Sequence, residues 1–295
     1  MEIVGSIYKL ENLTDNLDSL DACILMSEGI SLVYDDLDLD LAIKICLENN
    51  IKPIIGINKI FQPSDISYAY KAIEKYKDNP NIYFYASDIS VCNIAIENKI
   101  ENRFIFNPET MITNSFDLEA YNEFGFDALA MSLEITLFDL IKSYNDTKAN
   151  LFYLGFGHRM MFYSKRKLVT LYGNKNNKNY LSDNLYLKES TRNDFLPIIE
   201  NNNGTMIYRS YLISLMDNIE KLSFLKYFYC DSLYIDNPTY NKALKAYYDV
   251  INNNITKDEG LSIIKSLNLD IEDGFTYQDS VYQKEALKRW VSLNY

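Results

Sequence analysis

Short apolar runs alternate with amphipathic stretches along most of the chain. The runs are DACILM (21–26), KPIIGI (52–57), IYFYAS (82–87), RFIFNP (103–108), ALAMSL (128–133), LFYLGF (151–156), TMIYRS (205–210) and DSLYID (231–236). Each is brief and of strand composition, as a strand buried on both faces should be. Helical patterns lie between most of them. In LDLAIKICLENN (39–50), Leu41, Ile45 and Cys46 recur at helical spacing, and Asn49–Asn50 supplies a stop. DISYAYKAIEKYKD, SVCNIAIENK, SFDLEAYNEFG and TLFDLIKSYN continue the alternation. Eight strand runs joined by helices predict an α/β fold, a (β/α)8 TIM-type barrel of parallel strands. A doubly wound open sheet is the alternative, but no GxGxxG follows the first strand.

One connection breaks the rhythm. Residues 167–204 carry Asn/Lys/Gly turns between short alternating runs, which predicts a β-hairpin inserted after the sixth strand. From about residue 252 the polar NNNITKDEG marks a helix start, and QKEALKRWVSLNY predicts a closing helix. With no repeat and no linker of domain length, residues 1–295 are expected to form a single barrel domain with that insertion.

Composition narrows the class. The chain has 295 residues, 47% of them hydrophobic, with 25 Tyr and 15 Phe, enough for a large core. No apolar run approaches the ~20 residues that cross a bilayer. The opening MEIVGSIYKLENL lacks a basic region followed by an apolar one. A cytoplasmic protein without membrane contact is the expectation. A net charge of -12 disfavours broad nucleic-acid binding and speaks against a DNA partner, while leaving room for a local basic patch. The cysteines, Cys23, Cys46, Cys92 and Cys230, never form CxxC, and His158 is the only histidine. No zinc motif can be written, no metal ligand is predicted, and no structural disulfide is expected in a reducing compartment.

In such a barrel the chemistry sits at the C-terminal strand ends. Reading polar residues there gives Asn58, then Asn107, Glu109, Thr110 and Asn114, then Ser132 and Glu134, then His158 and Arg159, and finally Asp236. Glu134 reads equally as an acid or base and as a first-turn helix glutamate favoured by the macrodipole. Turn chemistry alone would explain Asn107. Glu109, Thr110 and Asn114 together exceed what a turn requires.

The stretch GFGHRMMFYSKRK (155–167) concentrates His158, Arg159, Ser164, Lys165, Arg166 and Lys167. Glu134 and His158 are the candidate catalytic residues, expected to open into one cavity. His158 could serve as base to Ser132, Ser164 or Ser210, but no GxSxG elbow selects a serine. The favoured reading is an anion-binding rim with Arg159, Lys165 and Arg166 as charge carriers and His158 as a hydrogen-bonding neighbour. A solvated basic loop is the plainer one.

Several segments in order resemble one family. FNPETMITN, FGFDALAMSLEITL, GHRMMFYSKRKLV, LYLKESTRNDFLPIIENNNGTMIY, SLYID and GFTYQDSVYQK are similar to the collagenase-like proteases, peptidase family U-thirty-two. The likeness is greatest to the short, cysteine-poor members of low-GC Gram-positive bacteria that occur beside a longer paralogue. The family signature is E-x-F-x-x-G-[SA]-[LIVM]-C-x4-G-x-C-x-[LIVM]-S. Aligned on Gly157, it puts Phe152 at the glutamate, Leu154 at the aromatic position, Met160 and Lys167 at the cysteines and Thr170 at the serine. Those cysteines resemble iron–sulfur ligands in the long members, so the resemblance implies no bound cofactor here.

The family implies two activities. One is collagenase-like proteolysis, a hydrolase without agreed catalytic residues. The other is prephenate-dependent 5-hydroxylation of the wobble uridine in tRNA. Related cluster-bearing pairs carry out hydroxylation in quinone synthesis. For this chain the resemblance implies a cluster-free subunit of tRNA modification, with prephenate as co-substrate, tRNA as substrate and a longer cysteine-bearing paralogue as hetero-oligomeric partner. A peptidase, or a non-catalytic barrel binding an anionic ligand, stands beside it.

Overall fold

The computed structural model describes residues 1–182, 185–191 and 193–277. In chain order its strands are β1 (Glu2–Ile7), β2 (Ala22–Met26), β3 (Lys52–Ile57), β4 (Tyr83–Ala86), β5 (Phe104–Phe106), β6 (Ala128–Ala130) and β7 (Leu151–Ser164). They continue with β8 (Tyr186–Lys188), β9 (Phe195–Asn201), β10 (Gly204–Ser214) and β11 (Tyr227–Cys230). β1 to β7 pair in sequence, all parallel, and β11 pairs parallel with both β1 and β7. That closes an eight-stranded barrel, with helices between most successive strands.

The barrel strands are short and almost wholly buried; every residue of ACILM in β2 is inside. This is why periodicity found most of them: a strand covered on both faces reads as a continuous apolar run. The helices follow the predicted pattern with one rotation. Helix Leu39–Glu48 is capped by Asp38, whose carboxylate accepts from Leu41 N, and it buries Ala42, Ile43 and Cys46 while Leu41 faces outward. Its stop is real, since Asn50 takes a left-handed backbone (φ 59°). Helix Lys257–Ser266 starts on a Thr256–Glu259 capping box. The expected closing helix over 283–295 lies outside the described residues.

Two barrel strands differ from the expectation. β1 (EIVGSI) was not among the predicted runs, because Gly5 and Ser6 break its apolar stretch. The eighth strand is YFYC (227–230), so DSLYID begins where that strand ends. TMIYRS belongs to β10, which pairs antiparallel with the outer part of β7 and lies outside the barrel.

β7 runs on beyond the barrel, and the order β7–β10–β9–β8 forms an antiparallel arm. Residues 167–204 hold a helix (Leu168–Lys175), β8 and β9; the hairpin's second strand, β10, runs past them to Ser214. Glu200 accepts from Val169 N and Thr170 N, placing a carboxylate at that helix's N-terminus. The arm bends over the barrel mouth. Asn201 and Asn203 donate to the carbonyl of Leu32, and Met206 and Tyr208 bury against Leu32 in a small second core. No helix among the described residues is long and apolar enough to cross a membrane.

Candidate active site at the barrel mouth

Under the arm, the C-terminal strand ends enclose a cavity of about 90 Å³. Its polar lining includes Tyr8, Asn58, Asn107, Glu109, His158, Arg159 and Asp231. β1 delivers Tyr8, β3 Asn58, β5 Asn107 and Glu109, β7 His158 and Arg159, and β11 Asp231.

Asp231 is the most firmly held. Ser6 Oγ donates to it at 2.7 Å and Tyr8 OH at 3.1 Å. Burial raises its carboxyl above the usual range, against the lowering effect of those donors. It can sit there because Gly157 faces it. A Cβ on Gly157 would lie 2.9 Å from Asp231 Cβ, and the glycine's φ of 140° is one that side chains rarely adopt. Two residues earlier, a Cβ on Gly155 would fall 1.8 Å from the Phe228 ring. Both glycines thus admit the neighbouring strand β11.

Glu109 sits in the left-handed region (φ 60°), held by Asn107 Oδ1, which accepts from Glu109 N at 2.9 Å. Asn107 also donates from Nδ2 to Tyr85 OH at 2.5 Å. Burial pushes the Glu109 carboxyl up to about 7, and the charge of Asp231 adds to the shift. This acid therefore holds or yields a proton at neutral pH.

His158 Nδ1 lies 2.9 Å from the carbonyl of Arg209, which can only accept. The proton of the neutral ring is thereby fixed on Nδ1, and Nε2 is left as an acceptor. Burial lowers the His158 pKa, so the ring stays neutral at pH 7. Arg159 is buried, donates to the carbonyl of Leu133 at 3.1 Å and stacks on Phe275 at 4.6 Å. Burial lowers its pKa as well. The cavity thus combines a proton-exchanging carboxyl, a second carboxylate, a neutral imidazole and a cation.

The remaining predicted residues divide. Asn58 lines the cavity but spends its Oδ1 on Leu32 N at 2.9 Å. Glu134 is not in the lining; its half-exposed carboxylate stands 3.7 Å from Arg159 on the outer side. Ser132 is fully buried, and its Oγ accepts from Glu134 N. Thr110 is exposed. Asn114 caps helix Ser115–Asn122 and Asp236 caps helix Asn237–Ile251, which is the plain reading of both. Ser164 accepts from Arg166 N in a turn. Lys165 faces Asp65 at 3.8 Å, and Arg166 is exposed. At about 3.3 Å per strand residue, these two lie roughly 20 Å along the arm from Arg159. No single small anion spans that distance.

Asp231 and Tyr8 were missed because their strands were. With the last strand set at 231–236, Asp231 fell at its start rather than at its end. An aspartate closing the run YFYC was the available signal. No hydrogen bond joins His158 to a serine among the described residues.

The family model described as Peptidase family U32 matches residues 34–284. No curated protein matches the chain. A solved structure described as the U32 peptidase Mk0906 is similar over 78% of this chain and 92% of its own, at 7% identity and a TM-score of 0.49. The family match extends from the loop after β2 past the last described residue and takes in every strand that closes the mouth except β1 and β2; the chain belongs to peptidase family U32.

Proposed function

We propose that this protein is a component of tRNA modification, the prephenate-dependent 5-hydroxylation of the wobble uridine. In this reading the barrel mouth handles the small anionic co-substrate and the arm meets the RNA. The observation that carries it is the division of charge. Residues 157–188 hold seven Lys and Arg against one Asp, a net of +6 in a chain of -12. Six of them, all but the buried Arg159, fall in the same stretch of chain as the exposed rings of Phe162, Tyr172 and Tyr180. Cations beside exposed rings suit unpaired nucleotides, with phosphates on the charges and bases stacked on the rings.

In the mouth, Arg159 would anchor a carboxylate and Glu109 would move a proton at the bound ligand. Neutral His158 would accept a hydrogen bond through Nε2, and the arm would exclude water. The residues at the family's cysteine positions do not fit an iron–sulfur cluster. Met160 offers a thioether beside the cavity, and Lys167 an exposed ammonium directed to Asn202. Among the described residues no group of three His, Cys, Asp or Glu could hold a metal. We therefore propose a cluster-free, cytoplasmic subunit whose redox partner is a longer cysteine-bearing paralogue. The peptidase reading shares the family name but lacks an activated nucleophile in this site.

Mass spectrometry of tRNA from a deletion strain tests the assignment. Loss of wobble 5-hydroxyuridine is expected, restored by the wild-type gene and not by Glu109→Ala. Wobble 5-hydroxyuridine at the wild-type level in the deletion strain, or peptide cleavage by the purified protein, would refute it.

A further inference from the structure

β10 and β7 pair regularly at both ends of their ladder but not in the middle. Tyr208 faces Met160 and Leu212 faces His158, so Arg209, Ser210 and Tyr211 together oppose the single residue Arg159. A bulge of this kind re-aims side chains and is favoured beside active sites. Here it brings a second arginine beside the first. Arg209 Nε is buried, and among the described residues it has no hydrogen-bond partner. A buried, unpaired guanidinium donor is costly. The nearest carboxylate to the pair's inner member, Glu134, is 3.7 Å from Arg159 and half exposed, too loose to neutralise both. The Arg159 pKa is lowered first by burial, and repulsion from Arg209 adds to it.

We infer that Arg159, which lines the cavity, and Arg209, which stands beside it at the rim and outside the lining, form a two-guanidinium clamp for one oxyanion group, a carboxylate or a phosphate, of a ligand that reaches from the barrel mouth to that rim. Planar guanidiniums on adjacent strands can bind one oxyanion through two forks, and a lysine cannot reproduce that geometry. The backbone carbonyl of Arg209 already fixes the His158 tautomer, so one bulge sets both the clamp and the imidazole. Tyr211 supports the outer arginine, with its ring 5.9 Å from the guanidinium carbon.

The proposal rests on reading the cavity as a ligand site, and the test separates the two. Titration calorimetry with prephenate and with inorganic phosphate is run on wild type, Arg209→Ala and Arg209→Lys, each first checked for an unchanged melting temperature. A variant that does not fold is replaced by Arg209→Gln. At least a tenfold loss of affinity is expected for Arg209→Ala with whichever anion wild type binds, and a smaller loss for Arg209→Lys. Loss confined to prephenate identifies the clamped group as carboxylate, and loss confined to phosphate identifies it as phosphate. Equal affinity in wild type and Arg209→Ala overturns the clamp alone. Failure of wild type to bind either anion overturns the clamp and the ligand-site reading together.

Discussion

Along β7 the chain passes from one regime into another. Leu151 to Arg159 are all buried, whereas Met161 and Phe162, two and three residues on, are exposed. The barrel half places polar groups inside and gives those of the site hydrogen-bonding neighbours: Asp231 on Ser6 and Tyr8, Arg159 on Leu133. The arm half does the reverse and leaves large apolar side chains in solvent, with Leu171 and the rings of Tyr172 and Phe195 each more than half exposed. Buried polar groups need fixed partners, so the barrel holds its site rigidly. Exposed rings beside cations have no packing reason to be there and read as a contact surface. In the proposed function, the difference separates the region that would hold the chemistry from the region that would meet a partner.

The sharpest break in that comparison comes from paired substitutions. Gly155→Ala puts a methyl 1.8 Å from the Phe228 ring inside the barrel wall. A loss of about 4 kcal/mol or more is expected in urea unfolding, the scale of severe overpacking with backbone displacement. Tyr172→Ala on the arm, at a side chain 62% exposed, should change stability by no more than about 0.5 kcal/mol. Comparable losses from both would mean that the arm is as tightly packed as the barrel.

A smaller effect should appear at Glu109. Its folded carboxyl is pushed up to about 7, whereas in the unfolded chain it has the ordinary value of 4.5, so the folded state retains the proton longer. Stability conferred by that retention is complete below the unfolded value and falls as pH rises through the folded one. Wild type should therefore lose on the order of 2 kcal/mol between about pH 4.5 and 7.5 from this group. Glu109→Gln should flatten that slope and be the more stable protein at pH 8, at the expense of the site. Urea midpoints at stepped pH decide it; parallel profiles for both proteins would remove Glu109 from the buried set.

Much of this was legible in the sequence, and the failures are physical. Strands covered on both faces declare themselves as apolar runs, which is how β2 to β7 were found. β1 was hidden because Gly5 must admit Leu20 and the Tyr240 hydroxyl, and Ser6 must reach Asp231, so with Glu2 three of its six residues break the apolar run. β11 was displaced because Tyr227 and Tyr229 read as amphipathic residues although both are buried. Each slip removed a site residue, since a strand's end is where its chemistry lies. Glu109 was identified from its loop; that it would titrate near neutrality depends on burial beneath an arm that pairs residues far apart in sequence, such as Tyr208 with Met160. Arg209 was legible as a polar residue in the run TMIYRS, but its place beside Arg159 was not, because a bulge is a property of two strands in register and leaves no mark on either alone.

The smallest effect belongs to Arg166, where sequence and structure give opposite expectations. Read along the chain, Arg159, Lys165 and Arg166 form one basic cluster, and removing any of them should weaken a small anion. In the fold, Arg159 is buried at the mouth while Arg166 is exposed at the arm's far end, with its backbone carbonyl accepting from Thr205. Between them lies the outer half of β7, several screening lengths' worth of surface at high salt and about two Debye lengths at 0.15 M. Arg166→Ala should therefore leave prephenate or phosphate affinity unchanged. A polyanion that lies along the arm would still feel it: tRNA affinity should fall by less than about 1 kcal/mol, and the salt slope of binding should shrink by about 0.7, as for one phosphate contact on a single strand. Fluorescence titration at stepped salt measures both quantities. An equal loss for the small anion and for tRNA would restore the single cluster and abolish the distinction between mouth and arm.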